Sequence, residues 1–184
     1  MTIKRKNRVC PAEKAGEFDT RLRRLFQNPA KILGPYIKED MTVLDLGCGP
    51  GFFAVEMARL MNNTGKVIAA DLQDEMLAIL QRKIIGSELE SVIELHKCET
   101  ESTGVKEHVD FILAFYVVHE IPDHEKLFRE IKSILNTGGR ILIVEPSTHV
   151  SGKDFRLMIS RAENAGLRVT GRPGYFLSRA VLLQ

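Results

Sequence analysis

The sequence has no apolar run approaching the ~20 residues that a helix needs to cross a bilayer, so no membrane span is expected. Its basic start, residues 1–10, has no apolar stretch behind it and is not read as a secretory signal. Cysteine is scarce. Cys10, Cys48 and Cys98 show no metal-ligand spacing and cannot all pair, which points to a reducing compartment and a cytoplasmic chain. Net charge is low as well, at +2, which argues against a dedicated nucleic-acid domain. That charge is uneven: residues 1–35 hold nine Lys/Arg against three Asp/Glu, a net of +6, so the remainder carries −4. A basic arm of this kind either contacts nucleic acid or an anionic surface, or is a solvated tail. Internal repeats and low-complexity segments are absent, and oligomeric state has no signature. The 184 residues, 44% hydrophobic and 27% charged, describe one ordinary globular domain.

Residues 43–53 read VLDLGCGPGFF. A buried strand here feeds a tight loop at Gly47, Gly49 and Gly51, and an amphipathic stretch, residues 52–61, follows at once. Glycines at alternate positions let the backbone turn sharply and let a ligand approach without a Cβ in the way. The N–H groups of the helix start face that ligand. Asp45 places a carboxylate near the strand end, where a phosphate would be repelled and a positively charged ligand favoured. A dinucleotide site uses G-x-G-x-x-G; the spacing here is G-x-G-x-G.

Strand and helix patterns alternate after residue 42. Residues 67–70, 92–95, 111–114 and 141–144 read as buried strands. Met76, Leu77 and Leu80 mark one helix, residues 123–135 a second, and residues 153–165 a third that stops at Gly166. Asn136-Thr137-Gly138-Gly139 reads as the turn into the fifth strand. Residues 167–170 and 180–183 are joined through Gly171-Arg172-Pro173-Gly174, too short for a parallel crossover, so they pair antiparallel. Upstream, Phe18, Leu22, Leu25 and Phe26 share one helical face, and Asn28-Pro29 starts a second short helix with Ile32, Leu33 and Tyr36 buried. The fold expected is α/β, with helices on both faces of a seven-stranded, mostly parallel sheet whose last strand is antiparallel.

The run D-L-G-C-G-P-G resembles motif I of the class I S-adenosyl-L-methionine (SAM) methyltransferases. AFYVVHEIPD (114–123) and LNTGGRILIVEP (135–146) are similar to runs of the ubiquinone/menaquinone-biosynthesis-type small-molecule members. The resemblance covers residues 42–184 and implies a Rossmann-like sheet, SAM as cofactor and S-adenosyl-L-homocysteine (SAH) as product. It also implies binding roles for Gly47, Cys48, Gly49 and Gly51, with Asp45 holding the methionine part through backbone or water. The alternative for Asp45 is a carboxylate that bonds the glycine loop's own N–H groups. Asp71, twenty residues after Gly51, stands where an acid reaches ribose hydroxyls, or else caps the next helix. Glu99 takes the place of the acid that meets the adenine amino group, although the sequence has Cys98 where glycine is frequent. By the same resemblance Leu72 and Met76 would flank the adenine, with core packing as the alternative for Met76. Carbonyls around Phe115 would face the methionine amino group, and Tyr116 and His119 would then border the methyl.

His119 is the candidate base, with a structural turn histidine as its alternative. A zinc reading of His119 and His124 fails, because metalloprotease histidines sit at i and i+4 and Pro122 interrupts any helix between them. Glu145, Ser147, His149 and Tyr175 fall on the acceptor side. The N-P-P-Y and D-P-P-Y runs of amino-methylating enzymes and the Pro-Cys pair of cytosine C5 enzymes are absent, so the expected partner is a small-molecule methyl acceptor. Residues 1–37 are expected to form a basic arm and helical lid over a methyltransferase domain of residues 38–184. Competing readings are an NAD-dependent oxidoreductase, a metalloid methyltransferase using the three cysteines, and a non-catalytic SAM-binding module.

Overall fold

A computed structural model describes residues 27–184. The helical face of Phe18, Leu22, Leu25 and Phe26, the basic arm and Cys10 lie outside the described residues. The first described element, α1 (Pro29–Leu33), starts as its sequence requires: Asn28 accepts from the Lys31 N–H at 3.2 Å, with Pro29 in the first turn. Then follow β1 (Thr42–Leu46), α2 (Ala54–Leu60), β2 (Lys66–Asp71), α3 (Asp74–Ile84), β3 (Ile93–Lys97), β4 (Val109–Phe115), α4 (His124–Ile134), β5 (Leu135–Pro146), α5 (Gly152–Asn164), β6 (Val169–Gly171) and β7 (Ser178–Leu183).

The seven strands form one sheet in the order β3-β2-β1-β4-β5-β7-β6. All neighbours are parallel except β5–β7 and β6–β7. The central strands are apolar on both sides because both faces are covered. Successive residues of β4 alternate between two cores: Phe111 and Leu113 pack with α1, α2 and α3, whereas Ile112 and Ala114 pack with α4 and α5. The segment after α1 belongs to the first core, where Tyr36 stacks on Phe111 at 5.4 Å.

Three boundaries differ from expectation. All three loop glycines have positive φ, so the chain is still turning at residues 51–53 and α2 begins only at Ala54. The turn expected at 136–139 is an excursion inside β5. Val109 pairs with Leu135 but Phe111 pairs with Arg140, and Gly138 sits at φ +83°. The last two strands are antiparallel as expected, but residues 172–177 all belong to their connection.

Candidate functional site

In an open α/β sheet the ligand edge lies at the carboxyl ends of the strands where strand order reverses, here between β1 and β4. A cleft of about 600 Å³ opens at that edge. Gly47, Cys48 and Gly49 form one wall of it, and Asp71, Leu72 and Met76 a second. Glu99, at the end of β3, and the Phe115–Tyr116 pair complete the group that the sequence singled out. Asp45, Gly51 and His119 are not among the lining residues.

The glycine loop is held by β2. The Gly47 and Cys48 N–H groups donate to the Ala70 carbonyl at 2.8 and 3.0 Å. Asp71 then accepts from the Gly49 N–H through Oδ2 and from the Gln73 N–H through Oδ1, each at 2.8 Å. The exchange of N–H bonds that sequence reasoning offered to Asp45 therefore reaches Gly49 through Asp71. Register explains it: Leu46 pairs with Ala70, so the next residue of β2 lies alongside the loop. Asp45 is inside β1, 2% exposed. Asp71 is not the N-cap residue of α3; that position is held by Gln73, whose side chain makes no capping bond. Burial pushes the Asp71 carboxyl above the usual carboxylate range, against the pull of its N–H donors. Asp71→Ala is expected to weaken SAM binding by ~1.5–3 kcal/mol, the cost of losing charge-assisted hydrogen bonds. Calorimetry giving wild-type affinity in a folded variant would take Asp71 out of the site.

Tyr116 adopts φ +62°, a strained conformation for a residue with a Cβ. Three bonds fix it there. Its N–H donates to the Val144 carbonyl at 2.8 Å, its hydroxyl lies 2.6 Å from Ser178 Oγ, and Gln27 Nε2 donates to that hydroxyl at 2.9 Å. Its ring packs on Phe115 at 4.4 Å, which in turn meets Phe53 at 4.5 Å, giving the cleft an aromatic wall.

His119 stands beside this wall, its side chain 27% exposed, with Nδ1 2.5 Å from Oε2 of the fully buried Glu145. The His119 N–H also donates to Glu145 Oε1 at 3.2 Å. Burial pulls the imidazole pKa down, but the Glu145 hydrogen bond and charge outweigh it and leave the pKa above the ordinary value. His124 is engaged elsewhere, through Nε2 to the Val118 carbonyl at 2.9 Å and through Nδ1 to Arg161 at 3.3 Å. Among the described residues no group of three or more His, Cys, Asp and Glu is placed to hold a metal ion. Cys48 and Cys98 are buried thiols. Burial raises both pKa values, that of Cys98 to about 12.

The acceptor-side expectation needs correction: Glu145, Ser147, His149 and Tyr175 do not line the cleft. Glu145 is sequestered by His119, Ser147 bonds the Leu177 carbonyl, and Tyr175 is tied to Tyr36. The cleft instead continues along the β4–α4 turn, past Glu120, Pro122 and His124, to Arg161 on α5. Sequence reasoning missed Glu120, although its position just beyond a central strand was the available signal.

Residues 37–166 match the methyltransferase-domain family, and the chain belongs to it. Over 111 residues it is 26% identical to the demethylmenaquinone methyltransferase of Halalkalibacterium halodurans, covering 60% of this chain and 45% of that protein. Over 110 residues it is 29% identical to the ubiquinone/menaquinone biosynthesis C-methyltransferase UbiE of Klebsiella pneumoniae, covering 59% and 44%. The chain thus aligns with less than half the length of these relatives. A crystal structure of a SAM-dependent methyltransferase from Aquifex aeolicus superposes with a TM-score of 0.83 at 26% identity, over 95% of this chain and 98% of that one. Family and fold together are those of the SAM-dependent methyltransferases. No helix among the described residues is long and apolar enough to cross a membrane.

Proposed function

We propose that this chain transfers a methyl group from SAM to a small-molecule acceptor by in-line displacement. The observation that carries this reading is the cleft itself. A Cβ built on Gly49 meets nothing within 4 Å, so the loop offers open space beside Asp71, with Leu72 and Met76 as apolar flanks. This donor set suits a ligand with a ribose, an aromatic base and a positive charge. Asp71 would hold the ribose, Leu72, Met76 and Glu99 the adenine, and the Phe115 backbone the methionine amino group. The cofactor, when bound, supplies a methyl activated by the sulfonium. The protein's part is to align and to exclude water. Tyr116 provides a fixed aromatic wall for alignment. His119, oriented by Glu145, would accept a proton where the acceptor must lose one. A small-molecule acceptor is supported by the small molecules in the printed names of the two relatives, demethylmenaquinone in one and ubiquinone/menaquinone biosynthesis in the other.

Residues before 27 are proposed to close over this cleft. Gln27 Nε2 bonds the Tyr116 hydroxyl, so the chain enters the described fold at the cleft wall. By contrast, the helix at 29–33 and the segment to Ile37 are built into the core, with Leu33 at 0% exposure. The proposed lid is thereby restricted to the part before residue 27. One experiment tests both ideas: methyl transfer from labelled SAM to a metabolite pool, by the full chain and by a chain lacking residues 1–26. The full chain is expected to label a small molecule. The truncated chain is expected to bind SAM with unchanged affinity and to turn over about tenfold or more slowly, since water exclusion and commitment depend on closure. Labelling of protein or nucleic acid alone would overturn the acceptor class, and equal turnover would overturn the lid.

A further inference from the structure

Of the cleft carboxyls that the binding scheme above leaves without a role, Glu101, Asp123 and Glu125 are exposed and Glu130 accepts from Thr103, which leaves Glu120. It sits in the short turn Val118–Glu120 directly after β4, half-buried and on the cleft wall. Among the described residues its carboxylate accepts no hydrogen bond. The charged groups around it come from each neighbouring element: Asp71 from the end of β2, Glu145 from the end of β5 and His119 from its own turn. Further along the same cleft stand Glu99 after β3, His124 on α4 and Arg161 on α5. An acid that accepts no hydrogen bond, on a cleft wall shared with Asp71 and under the influence of buried Glu145, favours a cationic ligand, and the cleft's own fixed cations, Lys126 and Arg161, belong to α4 and α5.

We propose that Glu120 is the specificity-determining residue by which the cleft distinguishes the sulfonium donor from its thioether product. The proposal rests on the assignment of this cleft to SAM. Donor and product differ by one methyl and one positive charge, and SAH is a zwitterion of zero net charge. An added methyl changes affinity only modestly in an apolar contact, whereas an ionised carboxylate in a partly desolvated cleft responds to the charge itself. Burial raises the Glu120 carboxyl to about 7, with Glu145 and Asp71 adding to the shift and His119 opposing it. A bound cation favours the ionised form, so donor binding releases a proton near neutrality and product binding does not. Once the methyl has left, Glu120 faces a neutral thioether and takes its proton back, which loosens the hold on product.

The test is calorimetric titration with SAM and with SAH, at about pH 6 and about pH 8, of the wild-type full chain and of the Glu120→Gln and Glu120→Asp variants. In the wild type the preference for SAM over SAH is expected to rise about tenfold between the two pH values, following ionisation of a group near neutrality. In Glu120→Gln that preference is expected to be about tenfold lower at the higher pH and to be independent of pH, with SAH affinity unchanged. Glu120→Asp, which keeps the charge, is expected to restore the pH dependence. His119, whose pKa the Glu145 hydrogen bond raises, is present in every protein, so the difference between wild type and Glu120→Gln isolates Glu120. Titration in buffers of different ionisation heat is expected to show proton release with SAM alone. A wild-type preference that is flat with pH, or a Glu120→Gln variant with the wild-type preference, overturns the role of Glu120. SAH binding by either protein leaves the donor assignment standing, whereas a wild type that binds neither ligand overturns both.

Discussion

Gly49→Val is expected to give a folded protein that no longer binds SAM. The three loop glycines look equivalent in sequence, but their surroundings separate them. A Cβ on Gly51 would lie 2.3 Å from Leu80 Cδ1, inside the packing of α3 on the sheet. A Cβ on Gly49 meets nothing within 4 Å, and the residue lines the cleft. Valine at 49 must adopt φ near the observed +52°, which costs roughly 1–3 kcal/mol for a residue with a Cβ. The fold survives that cost, but the branched methyls occupy the approach path of the ligand. Affinity is expected to fall at least about 100-fold, or ~2.7 kcal/mol. Gly51→Val combines the same backbone strain with the collision against Leu80, and is expected to lower the melting temperature far more than Gly49→Val. Thermal melts followed by SAM titration of both variants check this. A well-folded Gly49→Val protein with wild-type SAM affinity would remove the loop from the donor site.

Local signals made much of this architecture readable. Alternating apolar strands and amphipathic helices, the Asn28-Pro29 start and Gly166 as a stop each act within a few residues. The short link after Gly171 forced the antiparallel ending seen in β6 and β7. What stayed hidden depends on register between distant segments. Leu46 opposite Ala70 brings Asp71, not Asp45, to the Gly49 N–H. The pairing of Phe115 with Val144 sets the turn after β4 beside Glu145, and so joins His119 to a carboxylate 26 residues away. Sequence reasoning treated that carboxylate as an acceptor-pocket group because it could see the strand end but not the partner. The backbone conformation of Tyr116 also escaped, since a tyrosine at positive φ has no sequence signature; its strain is sustained by Ser178 and Gln27 from opposite ends of the described chain.

His119→Ala is expected to lower kcat by about 100-fold or more, within the range for loss of a general base, while SAM affinity stays within about twofold. The reason for separating these effects is positional. His119 is not part of the cleft lining that would hold the cofactor, yet it follows Tyr116 by three residues and its Nδ1 is committed to Glu145. That commitment leaves Nε2 as the nitrogen able to take a proton. Because the imidazole pKa is raised, the alkaline, active form should appear only as pH rises through a value above 6.5. The wild-type kcat profile is expected to show that limb, and the variant to lack it. Stability has its own sign. A histidine whose folded pKa is raised contributes stability that is fully present below its unfolded pKa and is lost as pH rises through the folded value. His119→Ala is therefore expected to be more destabilising at about pH 6 than at about pH 9, where only the hydrogen bond to buried Glu145 is forfeited. A variant that loses stability with this pH dependence but retains wild-type kcat would assign His119 solely to the neutralisation of Glu145. A lost kcat limb with SAM binding intact would assign it to proton removal from the acceptor.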